Sequence, residues 1–186
     1  MAASRNGFTP VRWPNAQYVQ NLPAAASTNQ VIAKGDAVAY LNGVIVPCTA
    51  GQDPGLKGFG VVLATYTTAG RPMTFNNTKL IASAGVGRVD VCWDPDQQYY
   101  AQCVASAGPS NMGKNVVIDV SASNASLGLS GQSVTIPASA SVNDLFKIIS
   151  IGPFDELAGK GTGAGTNNGV IVVWNNHALR GPTAGQ

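Results

Sequence analysis

Gly35-Asp36-Ala37-Val38-Ala39-Tyr40-Leu41-Asn42-Gly43-Val44-Ile45-Val46-Pro47 decides the fold, because two β-rich runs flank an Asn-Gly pair that suits a type I′ turn. With the turn at Asn42-Gly43, Tyr40 stands opposite Ile45 with Val38 on the same side, and Leu41, Val44 and Val46 share the other side. Both faces are apolar. A hairpin of this kind has to be covered on both sides, as in the wall of a closed barrel or sandwich, and not as a solvated flap. The later strands are its expected cover.

Composition sets the class around this hairpin. The chain has 186 residues and 45% hydrophobic content, enough for one domain with a real core. Only 11% of its residues are charged, where roughly 25% is usual. Its surface is therefore neutral and polar, built from Ser, Thr, Asn, Gln and Gly. With 22 Gly and 11 Pro the sequence is rich in turns and poor in helix formers. The class read from these features is all-β, as a single barrel or sandwich.

A net charge of +2, scattered along the chain, does not make a nucleic-acid footprint. The start, Met1-Ala2-Ala3-Ser4-Arg5-Asn6-Gly7, lacks the apolar core of a secretory signal, and the aliphatic run Val170 to Trp174 is far too short to span a bilayer. The expectation is a soluble protein made in the cytoplasm, with no membrane partner. Cys48, Cys92 and Cys103 cannot all pair within one chain and form no C-x-x-C, so they read as buried thiols. Cys92 and Cys103, on neighbouring runs, are the one conceivable pair.

Residues 1–34 hold Arg5, Arg12 and Lys34 but no acid, and Pro10, Pro14 and Pro23 forbid a long helix. They read as an extended arm, followed by an all-β domain over 35–177 and a polar tail over 178–186. Phe8, Val11, Trp13, Tyr18, Val19 and Leu22 are too many large apolar groups for a solvated tail. The arm either covers its own core or contacts a neighbouring surface, and on the second reading Arg5, Phe8, Val11, Arg12, Trp13 and Tyr18 are the contact residues.

Further strands are expected over Gly58 to Tyr66, Leu80 to Ala82, Gly87 to Trp93, Tyr99 to Val104, Val116 to Val120, Ser133 to Ile136, Leu145 to Ile151 and Gly169 to Trp174. The Asp94 to Gln98 loop is read as a second hairpin joining its two neighbours. Turn chemistry marks Gln52 to Gly55 and Ala69 to Pro72, and polar or glycine-rich loops fill Ser121 to Gln132 and Gly159 to Gly169.

The chemistry-bearing motifs are thin. Gly108-Pro109-Ser110-Asn111-Met112-Gly113-Lys114-Asn115 nearly spells a phosphate-binding loop, but Asn115 replaces the required Ser or Thr and a β-branched run follows where a helix is needed. His177 is the single histidine, which rules out a multi-histidine metal site and leaves no nucleophile elbow to serve. Asp94 and Asp96 flank Pro95 as turn formers. No catalytic, cofactor or metal residues are assigned.

In order along the chain, several motifs resemble one group. Asn6-Gly7-Phe8-Thr9-Pro10-Val11-Arg12, Lys34-Gly35-Asp36-Ala37-Val38 with Asn42-Gly43-Val44-Ile45, and Gly58-Phe59-Gly60-Val61 come first. Val91-Cys92-Trp93-Asp94-Pro95, Gly113-Lys114-Asn115, Phe146 to Ile151 and Val172-Val173-Trp174-Asn175-Asn176-His177 complete the series. The chain resembles the head decoration, or cement, proteins of tailed bacteriophages. The resemblance implies a virion structural protein on the outer capsid surface, with the major capsid protein and copies of itself, as trimers or dimers, for partners. It implies no catalysis. A tail-associated or glycan-binding virion protein is the alternative, with Trp13, Trp93, Tyr99 and Tyr100 as stacking groups.

Overall fold

The computed structural model describes residues 7–25, 32–49, 57–66, 79–80, 86–104, 106–120, 130–151 and 168–180. Arg5, the turns at 52–55 and 69–72, the loop over 121–129, most of the glycine-rich stretch and the tail beyond 180 lie outside the described residues. What is described is all-β.

The hairpin forms as its sequence dictates: β4 (Ala37–Leu41) and β5 (Val44–Pro47) pair Tyr40 with Ile45 and Leu41 with Val44. Asn42 and Gly43 take positive φ of 51° and 86°, the backbone that a type I′ turn requires. Its two faces enter two different cores. Val38 and Ile45 point into a closed barrel with Leu22, Ala24, Ile32, Val62, Val89 and Val91, while Ala37, Ala39 and Val46 pack outward against the second sheet. The apolar character of both faces is thereby explained.

The barrel runs β2 (Val19–Ala25), β5, β4, β6 (Gly58–Tyr66) and β8 (Val86–Cys92), with β8 closing onto β2 over seven residue pairs. Two short strands, β3 (Ile32–Ala33) and β7 (Lys79–Leu80), pair beside it. In β8, Val89 and Val91 face inward and Arg88 outward, the half-buried alternation read from the sequence. The second sheet takes β1 (Thr9–Pro10), β9 (Tyr99–Cys103), β11 (Gln132–Thr135), β10 (Asn115–Val120), β12 (Phe146–Ile151) and β13 (Asn168–Trp174). It closes too, since β13 pairs back onto β9. Closure removes most of the free strand edges that invite unspecific pairing.

Two expectations are corrected. The arm does not end at residue 34: Val19 to Ala25 is a full wall of the barrel, and Phe8 is 1% exposed in the core of the second sheet. The Asp94 to Gln98 loop is not a hairpin either. It carries the chain from the barrel into the second sheet, because β8 pairs with β2 and β6 whereas β9 pairs with β1, β11 and β13. The three cysteines are buried thiols with no disulfide, and Cys92 and Cys103 lie in different sheets.

Beside its apolar contacts, the seam between the two sheets carries buried hydrogen bonds. Gln132 is 3% exposed; its side chain accepts from the Ala37 N–H at 2.6 Å and donates to the carbonyls of Ala37 at 3.2 Å and Cys48 at 2.9 Å. It stands in for a strand neighbour where the hairpin runs out. Beside it, Asp36 accepts from the Ala33 N–H at 2.7 Å. Burial pushes its carboxyl up to about 6, against the opposing hydrogen bonds from Ser130 and Ala33. A raised acid of this kind stabilises the fold fully below its unfolded value of 3.8, and that contribution is lost as pH rises through about 6. Asp36→Asn is therefore expected to remove about 3 kcal/mol of pH dependence from the unfolding free energy between these limits, read from denaturant midpoints, and an unchanged slope would show that Asp36 is not its source.

Candidate functional site

The segment from Thr9 to Tyr18 is pinned along its length to the connection between the two sheets. Thr9 and Pro10 pair with Tyr100 and Tyr99, and the Val11 N–H donates to the Gln98 carbonyl at 2.9 Å. Gln97 donates its amide to the Arg12 carbonyl at 3.2 Å. Asn15 opens a short 3-10 turn by accepting from the Gln17 N–H at 3.2 Å, and the Tyr18 carbonyl accepts from the Trp93 N–H at 2.9 Å. Prolines 10 and 14 suit this: they keep the chain extended where it lies over the loop.

This anchoring divides the expected contact residues into two groups. Phe8 is inside, stacked on Phe146 with ring centroids 4.5 Å apart. Val11 is half-buried, and Tyr18 lies edge-on against Trp93 at 5.1 Å. Of the described members, only the side chains of Arg12 and Trp13 are exposed, Trp13 at 93%. An indole held out so completely by a fixed backbone has none of its apolar surface covered.

Trp13 borders a groove of about 360 Å³ lined by Val11, Arg12, Asn15, Asp94, Asp96, Gln97 and Gln98. Asp94 and Asp96 make the turn expected of them, the Asp96 N–H donating to the Asp94 side chain at 2.9 Å. Asp96 also takes an ion pair from Arg180. Of the other aromatic residues considered for stacking, Tyr99 is buried and Trp93 is committed to Tyr18.

A second surface was not legible in the sequence. Tyr40 at the hairpin end, 48% exposed, lies 5.5 Å from the Phe59 ring, and Phe59 lies 6.4 Å from the ring of His177. Leu179, 62% exposed, is tied to the same histidine. Tyr40, Phe59 and Leu179 thus form an apolar patch assembled from the hairpin, β6 and the end of the described chain. No local pattern marks it, because its members are far apart in sequence.

His177 builds the floor of that patch. Its ring is buried; Nδ1 accepts from the Leu179 N–H at 3.1 Å, so Nε2 carries the proton and donates to the Phe59 carbonyl at 2.6 Å. Burial lowers its pKa, outweighing the Phe59 carbonyl, which favours the charged ring. The neutral ring contributes stability that is complete above its unfolded value near 6.5 and is lost as pH falls below it. His177→Ala is expected to destabilise by about 2 kcal/mol at pH 8 and by less at pH 5, read from denaturant midpoints.

The near phosphate loop is a 3-10 turn at Pro109–Asn111 leading directly into β10, so no helix N-terminus faces it. Among the described residues no group of His, Cys, Asp and Glu is placed to hold a metal ion, and no helix is long and apolar enough to cross a membrane. No protein-family model matches the chain, and no curated protein matches it in sequence.

Proposed function

We propose that this protein is a head decoration protein of a tailed bacteriophage, which binds the outer surface of the mature capsid and stabilises it through subunit contacts. Its work is contact without catalysis, with the major capsid protein and further copies of itself as partners. The observation that supports this most directly is the apolar patch of Tyr40, Phe59 and Leu179 on a body whose two sheets are closed. Such a body offers little edge for strand addition, so side-chain surfaces have to carry the binding. The ordered resemblance along the whole chain points the same way. His177, the single histidine of the chain, has both ring nitrogens engaged inside the fold.

Mixing the purified protein with expanded, undecorated heads and reconstructing the particles tests this reading. Density repeating at every equivalent lattice position is the expected result; binding at a unique vertex, or none, would reject it. Trimers are expected on the lattice, because a closed ring at a local three-fold axis multiplies weak contacts. Isolated copies that do not touch would exclude both the trimer and its dimeric competitor.

A further inference from the structure

We propose that the groove beside Trp13 is a binding site for an uncharged saccharide, presenting a pyranose ring to the indole face. This goes beyond capsid binding, which the preceding reading places at a different surface.

A pyranose has an apolar C–H face and a rim of hydroxyls, each both donor and acceptor. It needs an aromatic platform beside a mixed set of polar side chains. Trp13 supplies the platform, 93% exposed on a backbone pinned at Val11 and Arg12. Its neighbours supply the rim: Asp94 and Asp96 accept, Arg12 donates, and the amides of Asn15 and Gln98 can do either. The groove, at about 360 Å³, is at the small end of the range for small-molecule sites.

The charge pattern selects the ligand class. Asp96 is neutralised by Arg180. Among the described residues Arg12 and Asp94 share the groove without an ion pair to each other or to anything else. One positive and one negative charge therefore remain, and they cancel; Asp94, which takes one bond from the Asp96 N–H, keeps acceptor capacity for a ligand. A sugar acid would meet Asp94 and an amino sugar would meet Arg12, whereas vicinal hydroxyls suit both planar forks at once. An extended peptide is the poorer fit. The Val11 N–H and Gln98 carbonyl are already bonded to each other, and the Arg12 carbonyl is taken by Gln97, so backbone ladder positions beside the groove are occupied.

The test uses the full-length protein labelled with ¹⁵N, titrated with the methyl glycosides of glucose, galactose and mannose and with N-acetylglucosamine, while the indole N–H signals are followed. Trp13→Phe assigns the signal of interest. The expected result is a saturable shift of the Trp13 signal with at least one of these sugars, while the buried Trp174 signal stays in place. Trp13→Ala and Asp94→Asn should each weaken binding by about tenfold or more, with the Trp174 signal reporting that the fold is intact. No shift with any neutral sugar, or a response confined to glucuronate, to glucosamine or to a basic peptide, would overturn the proposal. Counting copies of Trp13→Ala on expanded heads keeps the two readings apart. Normal occupancy with lost sugar binding supports the groove as a separate site, and lost occupancy makes Trp13 a capsid anchor and overturns it.

Discussion

Phe8→Ala is expected to destabilise the protein by about 3–5 kcal/mol and to lower its melting temperature by roughly 10 °C. The ring is 1% exposed and belongs to a cluster of aromatic side chains in the second sheet. It stacks on Phe146 at 4.5 Å with an interplanar angle of 18°, and meets Tyr99 edge-on at 6.5 Å. Phe146 in turn stacks on Trp174 at 4.2 Å. Truncation leaves a cavity walled by the Phe146 and Tyr99 rings, both held from behind by Trp174, so they cannot collapse to fill it, which sets the cost toward the high end of the large-to-small range. The backbone around it is equally fixed. The Phe8 N–H donates to the Gly35 carbonyl at 2.8 Å, and Gly7 has φ of 65° with no room for a side chain, since a Cβ there would stand 2.3 Å from that same carbonyl. A melting temperature within about 3 °C of wild type, which corresponds to roughly 1 kcal/mol, would show that the ring is dispensable. Removing residues 1–22 is expected to abolish folding, because it deletes both Phe8 and the first half of a barrel strand.

That outcome follows the first of the two readings of the arm, as the cover of its own core, and the sequence did not choose between them for a physical reason. Prolines at 10, 14 and 23 break the alternation that would reveal which side chains point inward, so Phe8 and Trp13 look alike although one is buried and the other almost fully exposed. The hairpin at Asn42-Gly43 was legible because its turn chemistry and its alternation are both local. So was β6, a nine-residue apolar run found with the bounds read from the sequence. The Asp94 to Gln98 connection was misread because a hairpin and a crossover between sheets present the same flanking strands and the same turn residues; only long-range pairing separates them. The roles of Gln132 and His177 were hidden for a related reason. Each is buried by hydrogen bonds to residues 95 and 118 positions away, and neither contact leaves a trace in neighbouring sequence.

The pair of substitutions Tyr40→Asp and Leu179→Asp, made together, is expected to weaken binding to expanded heads by about 100-fold or more, and so to leave heads largely bare at protein concentrations that saturate them with the wild type. Both side chains are substantially exposed, at 48% and 62%, so their loss should cost the isolated fold little. At an interface the same positions behave differently. Each Asp would carry a charge into a contact from which water is excluded, adding a desolvation cost to the lost apolar area. Phe59 lies against Tyr40 and His177, partly buried and fixed by the fold, so the patch is preorganised and its loss is not easily repaired by repacking. If the copies bind as a ring, each weakened contact also lowers the effective concentration for the next. Met112→Asp combined with Val120→Asp is the matched control: together they add the same two charges at apolar positions that are 49% and 44% exposed, just before β10 and at its end, and should leave occupancy unchanged. Circular dichroism and the melting temperature would establish that all variants keep the β fold. Full lattice occupancy by the Tyr40 and Leu179 variant would show that the capsid is gripped elsewhere, and loss of binding by the Met112 and Val120 control as well would mean that any added negative charge repels the head, so that the patch has no special part in it.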